Sequence, residues 1–162
     1  MSLLKHPLLK RLAKNIDRNI SPFRWIDLYS AQYISDCQRE GSQDESEQCV
    51  VALAVLVSFA SSNGETFLSL SNLPNNILSP FEFPDLTLTE WSDQLGCSAA
   101  VRVVHRDSLN TFPIEVGVND GEQQAALILW GERLYLARYW QLHQKWELWL
   151  HEQSLVECKI EE

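Results

Sequence analysis

The first 19 residues alternate apolar and polar positions with the period of a helix. Leu4, Leu8, Leu12 and Ile16 recur at every fourth position, which predicts an amphipathic helix that ends near Asn19. The opposite side of this helix is basic. Its cations are Lys10, Arg11, Lys14 and Arg18.

The next segment has the start signal of a second helix. Ser21 suits an N-cap, and Pro22 suits the first helical position. Six apolar residues then follow with helical spacing up to about residue 38, namely Phe23, Ile26, Tyr29, Tyr33, Ile34 and Cys37. The polar stretch from Gln38 to Glu47 is predicted to be a surface loop, and its acidic end suits the positive end of a following helix.

The third segment, Cys49–Ala60, is apolar on every side. A helix of that composition occupies the centre of a core. Its valines also suit a strand, but a run of this length favours a helix. Gly64 then supplies a C-terminal stop, and residues 65–70 resemble a short strand.

The middle of the chain has less regular patterns. Three prolines between residues 72 and 86 predict an irregular loop. The capping box Thr87–Glu90 predicts a short helix, and Val101–Val104 suits a strand. Residues 105–124 alternate only weakly and predict no definite element.

Two strand-like runs near the C-terminus give the clearest local pattern. Ala125–Trp130 and Arg133–Ala137 flank Gly131-Glu132, a Gly-X pair that favours a type II′ hairpin. A last helix is predicted to extend to about residue 153 from the spacing of Tyr139, Leu142, His143, Trp146, Trp149 and Leu150. Together the elements predict a mainly helical α+β fold with a C-terminal β-hairpin and a following helix.

The composition is that of one globular domain. The chain has 162 residues, of which 45% are hydrophobic and 22% are charged. Its longest apolar run, Cys49–Ala60, is shorter than the roughly 20 residues that span a bilayer. The first seven residues lack the apolar block of a signal peptide. We therefore expect a soluble cytoplasmic protein with no membrane contact.

The four cysteines do not form a metal-binding pattern. Cys37, Cys49, Cys97 and Cys158 are widely spaced, and no histidine is placed to complete a zinc site with them. Free cysteines of this kind behave as small hydrophobic residues. We expect reduced, mostly buried thiols and no structural metal.

The formal net charge of −9 is unevenly distributed. Residues 1–30 contain six Lys and Arg against two Asp, a charge of +4, so the rest of the chain carries −13. A protein this acidic binds polyanions poorly, and contact with nucleic acid would have to use the first helix. The basic side of that helix is compatible with solvent alone, with an acidic protein partner, or with nucleic acid.

The sequence contains no recognisable pattern for catalysis or cofactor binding. Its six glycines form neither a P-loop nor a G-x-G-x-x-G fingerprint, and G-x-S-x-G and H-E-x-x-H are absent. The four histidines are scattered. We expect no catalytic residue and no cofactor in these 162 residues. Four of the six tryptophans fall within the last 33 residues, which suits either a small core or a docking face.

Several segments resemble the N-terminal region of RecD, the alpha chain of exodeoxyribonuclease V (the RecBCD complex). Leu127–Trp140 is similar to the strand, tight turn and R-L-Y-L-x-R-Y-W-like string that precede the motor domain in that family. Ala52–Ser58 with Gly64 and Leu68–Leu73 resembles the family's apolar helix, glycine turn and strand. Ile26–Ala31 resembles the helix before them, and the segments have the same order as in the family.

The resemblance implies a winged-helix-like helical bundle that docks the RecD helicase onto a RecC-like partner in the repair and recombination of DNA double-strand breaks. DNA is then reached only through the complex. Residues 1–124 are expected to form the helical domain, of which 98–124 matches the family poorly. Residues 125–162 are expected to form the hairpin and a connector helix towards the motor domain. The chain as given contains no P-loop, so helicase ATPase activity is not expected of it.

Two other classes of function remain open at this point. One is a stand-alone winged-helix-like module that binds nucleic acid or protein, and the other is a small enzyme. A winged helix that reads DNA places positive charge on the helix after its turn, whereas Cys49–Ala60 has none. The docking prediction assigns the partner interface to the aromatic last helix and the basic first helix, at Tyr139, Trp140, Trp146, Trp149, Lys10, Arg11, Lys14 and Arg18.

Overall fold

The computed structural model of the chain describes residues 3–38, 45–74, 76–104 and 125–160, with side chains up to residue 155 in the last range. Within these ranges the mainly helical α+β class is confirmed. The elements are α1 (Pro7–Asp17), α2 (Trp25–Asp36), α3 (Glu45–Ser62), β1 (Leu68–Ser69), a 3-10 turn (Leu70–Asn72), α4 (Leu88–Gly96), β2 (Val101–Val104), β3 (Leu127–Trp130), β4 (Arg133–Leu136) and α5 (Ala137–Ile160).

The amphipathic first helix is confirmed. Pro7 occupies its first turn, and Nδ1 of His6 caps it by accepting a hydrogen bond from the backbone N–H of Leu8 at 3.3 Å. Burial lowers the pKa of the His6 imidazole, which favours the neutral form that can accept this bond. The buried side of α1 is formed by Leu8, Leu9, Leu12 and Ala13.

The predicted start of the second helix is wrong by a few residues. Ser21 does not cap the helix, because its hydroxyl accepts from the N–H of Phe23 in a local turn at 3.1 Å. The helix begins at Trp25, where the Asp27 carboxylate accepts from the N–H of Arg24 at 2.9 Å. A serine followed by proline suits such a turn as well as a helix start, so the sequence pattern was ambiguous.

α3 is the centre of the core, as its composition predicts. Every residue from Cys49 to Ser58 is buried, and burial raises the pKa of the Cys49 thiol to about 12. The helix packs against α2 and against β1, β4 and α4. Asp27 of α2 is itself fully buried and accepts from the Ser58 hydroxyl at 2.8 Å, which fixes the two helices to each other.

Four strands form one sheet in the order β1-β4-β3-β2. The predicted hairpin is confirmed, with Trp130 opposite Arg133 and a positive φ of 59° at Gly131. The backbone φ is positive at Gly131, the first central residue of the turn, and not at Glu132, the second. This combination is typical of a type II′ turn. β1 pairs antiparallel with β4, and β2 pairs parallel with β3. The sheet therefore joins residues on both sides of the expected domain boundary at residue 124.

Both faces of the sheet are covered. Leu127, Leu129 and Leu134 belong to the main core between the sheet and the helices. Ile128 and Tyr135, which point to the opposite face by the alternation of strand residues, form a second cluster with Val104 and Trp140, against which Phe67 and Trp130 pack. This second cluster anchors the start of α5.

Other predicted elements differ from the structure mainly in extent. The capping box at Thr87 is confirmed, because its hydroxyl accepts from the N–H of Glu90 at the start of α4. The strand expected over 65–70 contains only Leu68–Ser69, since the chain turns into the 3-10 segment. The last helix ends at Ile160 and not near residue 153, because no proline or glycine stops it.

Some predictions fall partly outside the described residues. The loop predicted over Gln38–Glu47 lies outside them at residues 39–44, and its end is wrong because α3 already begins at Glu45. The weakly alternating segment 105–124 lies wholly outside them. The cysteines were expected to be mostly buried, but of the three whose side chains are described only Cys49 is buried, while Cys37 is half-buried and Cys97 is exposed. None of these three forms a disulfide. Cys97 is exposed because it lies at the C-terminal end of α4, where the chain reaches the surface.

Candidate functional site

The hairpin holds the first turns of α5 against the second face of the sheet. The rings of Tyr135 and Trp140 meet edge to face at 5.2 Å, and the rings of Trp130 and Trp140 lie 5.7 Å apart. The His143 ring stacks on Trp140 at 6.1 Å. Burial in this cluster raises the pKa of the Tyr135 phenol. This anchored beginning fixes the direction of the rest of α5.

Beyond these first turns, α5 exposes an apolar stripe. Trp146 is 62% exposed and Trp149 50% exposed, and Leu142 and Leu150 are about as exposed. At 100° per residue these four side chains fall within about one third of the helix circumference. We call them the α5 stripe. Its tryptophans contact each other edge to face at 5.7 Å.

A shallow groove follows the α5 stripe. It has a volume of about 400 Å³ and is lined by Leu142, Lys145, Trp146 and Trp149. Lys145 is the charged residue at its edge, and it is exposed. An apolar surface with a charged edge resembles the centre and rim of a protein–protein contact.

The structure separates the aromatic residues that sequence analysis placed together. Trp140 is only 2% exposed and belongs to the second cluster, so its ring is not on the surface. Tyr139 is half-buried, and the Arg138 guanidinium covers its ring at 4.9 Å. Trp146 and Trp149 are exposed. An α5 contact face therefore consists of the α5 stripe, with Tyr139 at its edge.

The basic residues of α1 lie on its solvent side. Lys10, Arg11, Lys14 and Arg18 are all exposed. Their spacing places them within an arc of about 100°, opposite the buried leucines. The one described ion pair in this part of the chain joins Lys5 to Asp36 at 3.5 Å and involves none of the four. The four cations therefore share one exposed side of the helix, with the exposed Asp17 at its edge.

A third surface, on α2, was not singled out from the sequence as exposed. Ile26, Tyr29 and Tyr33, whose apolar spacing helped to predict the helix, face solvent. They line a groove of about 540 Å³ together with Ser30, Ile34, Ala125, Ala126, Leu136, Ala137 and Arg138. The packed side contains Leu28, Ala31 and Ile34. Two apolar rows are present on α2, and the sequence does not show which one faces α3.

The described part of the chain shows no metal centre and no membrane-spanning helix. No three His, Cys, Asp or Glu side chains there are grouped so that they could hold a metal ion. No helix in those ranges is both long and apolar enough to cross a bilayer. The candidate site consists of exposed helix surfaces and contains no buried reactive group.

Comparison with protein families identifies a matching family model. The family model described as RecBCD enzyme subunit RecD, N-terminal domain, matches residues 21–135. That range includes α2, α3, α4 and the sheet up to Tyr135. The exposed residues of α2 lie inside it, whereas the surfaces on α1 and α5 lie outside it. No curated protein matches the chain. Because the family match covers more than two thirds of the sequence, the chain belongs to the family of RecD N-terminal domains of the RecBCD enzyme.

Proposed function

We propose that this chain is a non-catalytic docking domain of a RecD-like subunit of exodeoxyribonuclease V. It anchors the helicase to a RecC-like partner in the cytoplasm during the repair and recombination of DNA double-strand breaks. Residues 1–124 form the helical domain, and residues 125–162 complete its sheet with the hairpin and connect it through α5 to the motor domain. The exposed α5 stripe is the observation that supports this function most directly.

The α5 stripe has the composition of an interface centre. Exposed apolar patches beyond a few hundred Å² are uncommon on monomeric proteins and usually mark interaction sites. Tryptophan is enriched among the residues that contribute most to binding energy. Trp146 and Trp149 are each at least half exposed, and they lie in the part of α5 that leads away from the anchored hairpin. A partner that covers the stripe removes both rings from water.

The basic side of α1 is a second contact that supports docking. Four exposed cations on a protein with a net charge of −9 are complementary to an acidic protein surface. Charges at an interface rim act mainly on association rate and orientation. We expect α1 to orient the partner, while the α5 stripe contributes most of the affinity.

Binding of purified variants to a RecC-like subunit, and separately to a RecD motor domain, tests this function. Trp146→Ala with Trp149→Ala is expected to weaken association with at least one of the two by about tenfold or more. Leu155→Ala is the matched control, because it removes an exposed apolar side chain from the opposite side of α5. Equal affinities of the parent, the double tryptophan variant and Leu155→Ala for both partners would contradict the assignment of the α5 stripe as the docking surface.

The proposal also excludes nucleotide chemistry in this chain. Calorimetric titration with ATP is expected to show no saturable binding, because the sequence lacks a phosphate-cradling loop. Binding with turnover above a mock preparation would contradict a non-catalytic role.

A stand-alone winged-helix-like module that binds nucleic acid is the second candidate, and the α1 cations favour it. Against it, α3 is buried and has no basic residue for base contacts. At about 0.15 M salt we expect no sequence-specific duplex binding, because only the positive N-terminal segment can neutralise phosphates. A submicromolar, sequence-dependent affinity at that salt concentration would favour this candidate over docking.

A further inference from the structure

The body of the domain supports only the first turns of α5. The helix has 24 residues and is about 36 Å long. Its contacts with the sheet come from the segment around Trp140 and His143, and every residue from Leu148 to Leu155 is exposed. The segment Leu148–Leu155 of this helix therefore extends beyond the described core with all its sides in solvent.

The exposed part of α5 has the spacing of a helix that pairs with another helix. Tyr139, Leu142, Trp146, Trp149 and Gln153 follow one another at intervals of three, four, three and four residues. This alternation is the a/d pattern of a coiled coil, whose seam lies along one side of the helix. The described side chains of the seam beyond Tyr139 are all exposed, so the seam has no partner within the described chain.

The seam is self-complementary about its midpoint. Trp146 and Trp149 are symmetric about a point between residues 147 and 148. Lys145 and Glu152 are symmetric about a point only one residue further along, and both occupy the position next to the seam on the same flank. A two-fold axis at this point brings each lysine near a glutamate of the other copy. In a parallel pair a g position meets an e position of the partner, so Lys145 would face Leu150 of the second copy and not Glu152.

We propose that α5 pairs antiparallel with α5 of a second copy of this chain across residues 142–153. Trp146 lies opposite Trp149 of the second copy, and the two tryptophan layers form the centre of the contact. Leu142 lies opposite Gln153, and Lys145 pairs with Glu152 across each end. The contact is isologous, so it closes as a dimer and does not propagate.

This inference goes beyond the docking function, because it concerns the chain without its partner. The same α5 stripe serves both contacts, so a docking partner must displace the second copy. The paired segment begins at the last anchored turn, and the side chains that form its seam, Leu142, Trp146, Trp149 and Gln153, are all exposed. The pairing covers one stripe per chain, less than a standard interface, so we expect a micromolar equilibrium of monomer and dimer.

Sedimentation equilibrium of the full 162-residue chain between about 1 and 100 μM tests the pairing. We expect a reversible monomer–dimer equilibrium. Trp146→Ala with Trp149→Ala should raise the dimer dissociation constant by about tenfold or more, while Leu155→Ala should leave it within about twofold. Circular dichroism of each variant in the monomer range verifies that the fold is retained.

Charge exchange tests the antiparallel direction. Lys145→Glu alone and Glu152→Lys alone should each weaken the dimer by about threefold, because each places like charges together at both ends. The double variant should recover the parental dissociation constant. A chain that stays monomeric up to about 100 μM, or a dimer indifferent to both tryptophans, would overturn the pairing. If the double charge variant does not recover the parental dissociation constant, the antiparallel direction of the pairing is wrong.

Discussion

α3 and α5 are the two longest helices described, and they have opposite surroundings. α3 has 18 residues and is enclosed on all sides from Cys49 to Ser58. α5 has 24 residues and is packed only in its first turns. The difference follows from how apolar residues are distributed around each helix. α3 is apolar all round and needs neighbours on every side, whereas the exposed part of α5 has its two tryptophans on one side only.

This contrast shows that a high density of aromatic residues does not by itself define a core. α5 contains three tryptophans, of which Trp140 is packed under the sheet while Trp146 and Trp149 are exposed. The transition occurs within two turns of a single helix. The strands β3 and β4 have only four residues each, so the second face of the sheet is short. It covers Trp140 but does not extend as far as Trp146 and Trp149.

The largest expected effect on stability distinguishes the buried Trp140 of α5 from the exposed Trp146 of the same helix. Trp140→Ala should lower the free energy of unfolding by about 3–5 kcal/mol, because it leaves a cavity beside Tyr135 and Trp130. Trp146→Ala should lower it by less than about 1 kcal/mol, because solvent already surrounds the ring. Chemical denaturation at submicromolar protein concentration, where self-association does not contribute, measures both values.

A Trp146→Ala protein that unfolds as readily as Trp140→Ala would remove the contrast. It would mean that the α5 stripe is part of the folded core. The docking surface would then have to be sought first on the basic side of α1, at Lys10, Arg11, Lys14 and Arg18.

The next effect compares the same substitution in the two helices. Leu53→Ala in α3 should cost about 2–5 kcal/mol of unfolding free energy, since this side chain is completely buried among close-packed neighbours. Leu142→Ala in α5, where the side chain is 51% exposed, should cost less than about 1 kcal/mol. The denaturation midpoints of the two variants give the comparison directly. Similar losses would show that α5 is as well packed as α3.

Local sequence patterns predicted most of the fold correctly. The apolar run of α3, the capping box at Thr87 and the hairpin turn at Gly131 each depend on nearby residues and are confirmed. The parallel pairing of β2 with β3 was not predicted, because it joins strands separated by residues 105–126. The sequence also did not show which side of α2 packs, because the helix has two apolar rows and the contact between Asp27 and Ser58 joins residues 31 positions apart.

The candidate site was predictable to a smaller extent. The apolar spacing of α5 was visible in the sequence, and so was the basic side of α1. The sequence did not separate Trp140 from Trp146, because both were assigned to the same predicted partner interface. Only the position of the sheet decides which ring is covered. The family match does not help with this question, since residues 21–135 include neither helix surface.

A third prediction compares two serine hydrogen bonds of equal length. The Ser58 hydroxyl on α3 donates to the buried Asp27 carboxylate at 2.8 Å, and the Ser154 hydroxyl on α5 donates to the carbonyl of His151 at 2.8 Å. Ser58→Ala should cost about 1.5–3 kcal/mol, because a buried carboxylate loses a donor. Ser154→Ala should change stability by less than about 0.5 kcal/mol, because water replaces the exposed bond. Thermal or chemical denaturation distinguishes them, and equal effects would show that burial does not set the strength of these bonds.

The smallest effect concerns the pH dependence of stability at the start of α1. His6 there is half-buried, so its surroundings are intermediate between those of α3 and those of the exposed part of α5. The lowered pKa of His6 means that the unfolded chain binds its proton at a higher pH than the folded chain does. The contribution of neutral His6 is therefore complete above its ordinary pKa of 6.5 and is lost as the pH falls through the folded value. His6→Asn is the matched variant, because its amide oxygen can accept from Leu8 without titrating.

Between about pH 7.5 and pH 5, the parent should therefore lose more unfolding free energy than His6→Asn, by less than the roughly 0.5–2 kcal/mol of a complete N-cap. Urea denaturation of both proteins at each pH measures the difference, and the other histidines cancel because both proteins contain them. Identical pH dependence in the two proteins would mean that the imidazole does not act as an acceptor for the helix. The stabilising contacts of α1 would then begin at its buried leucines and not at the His6 cap.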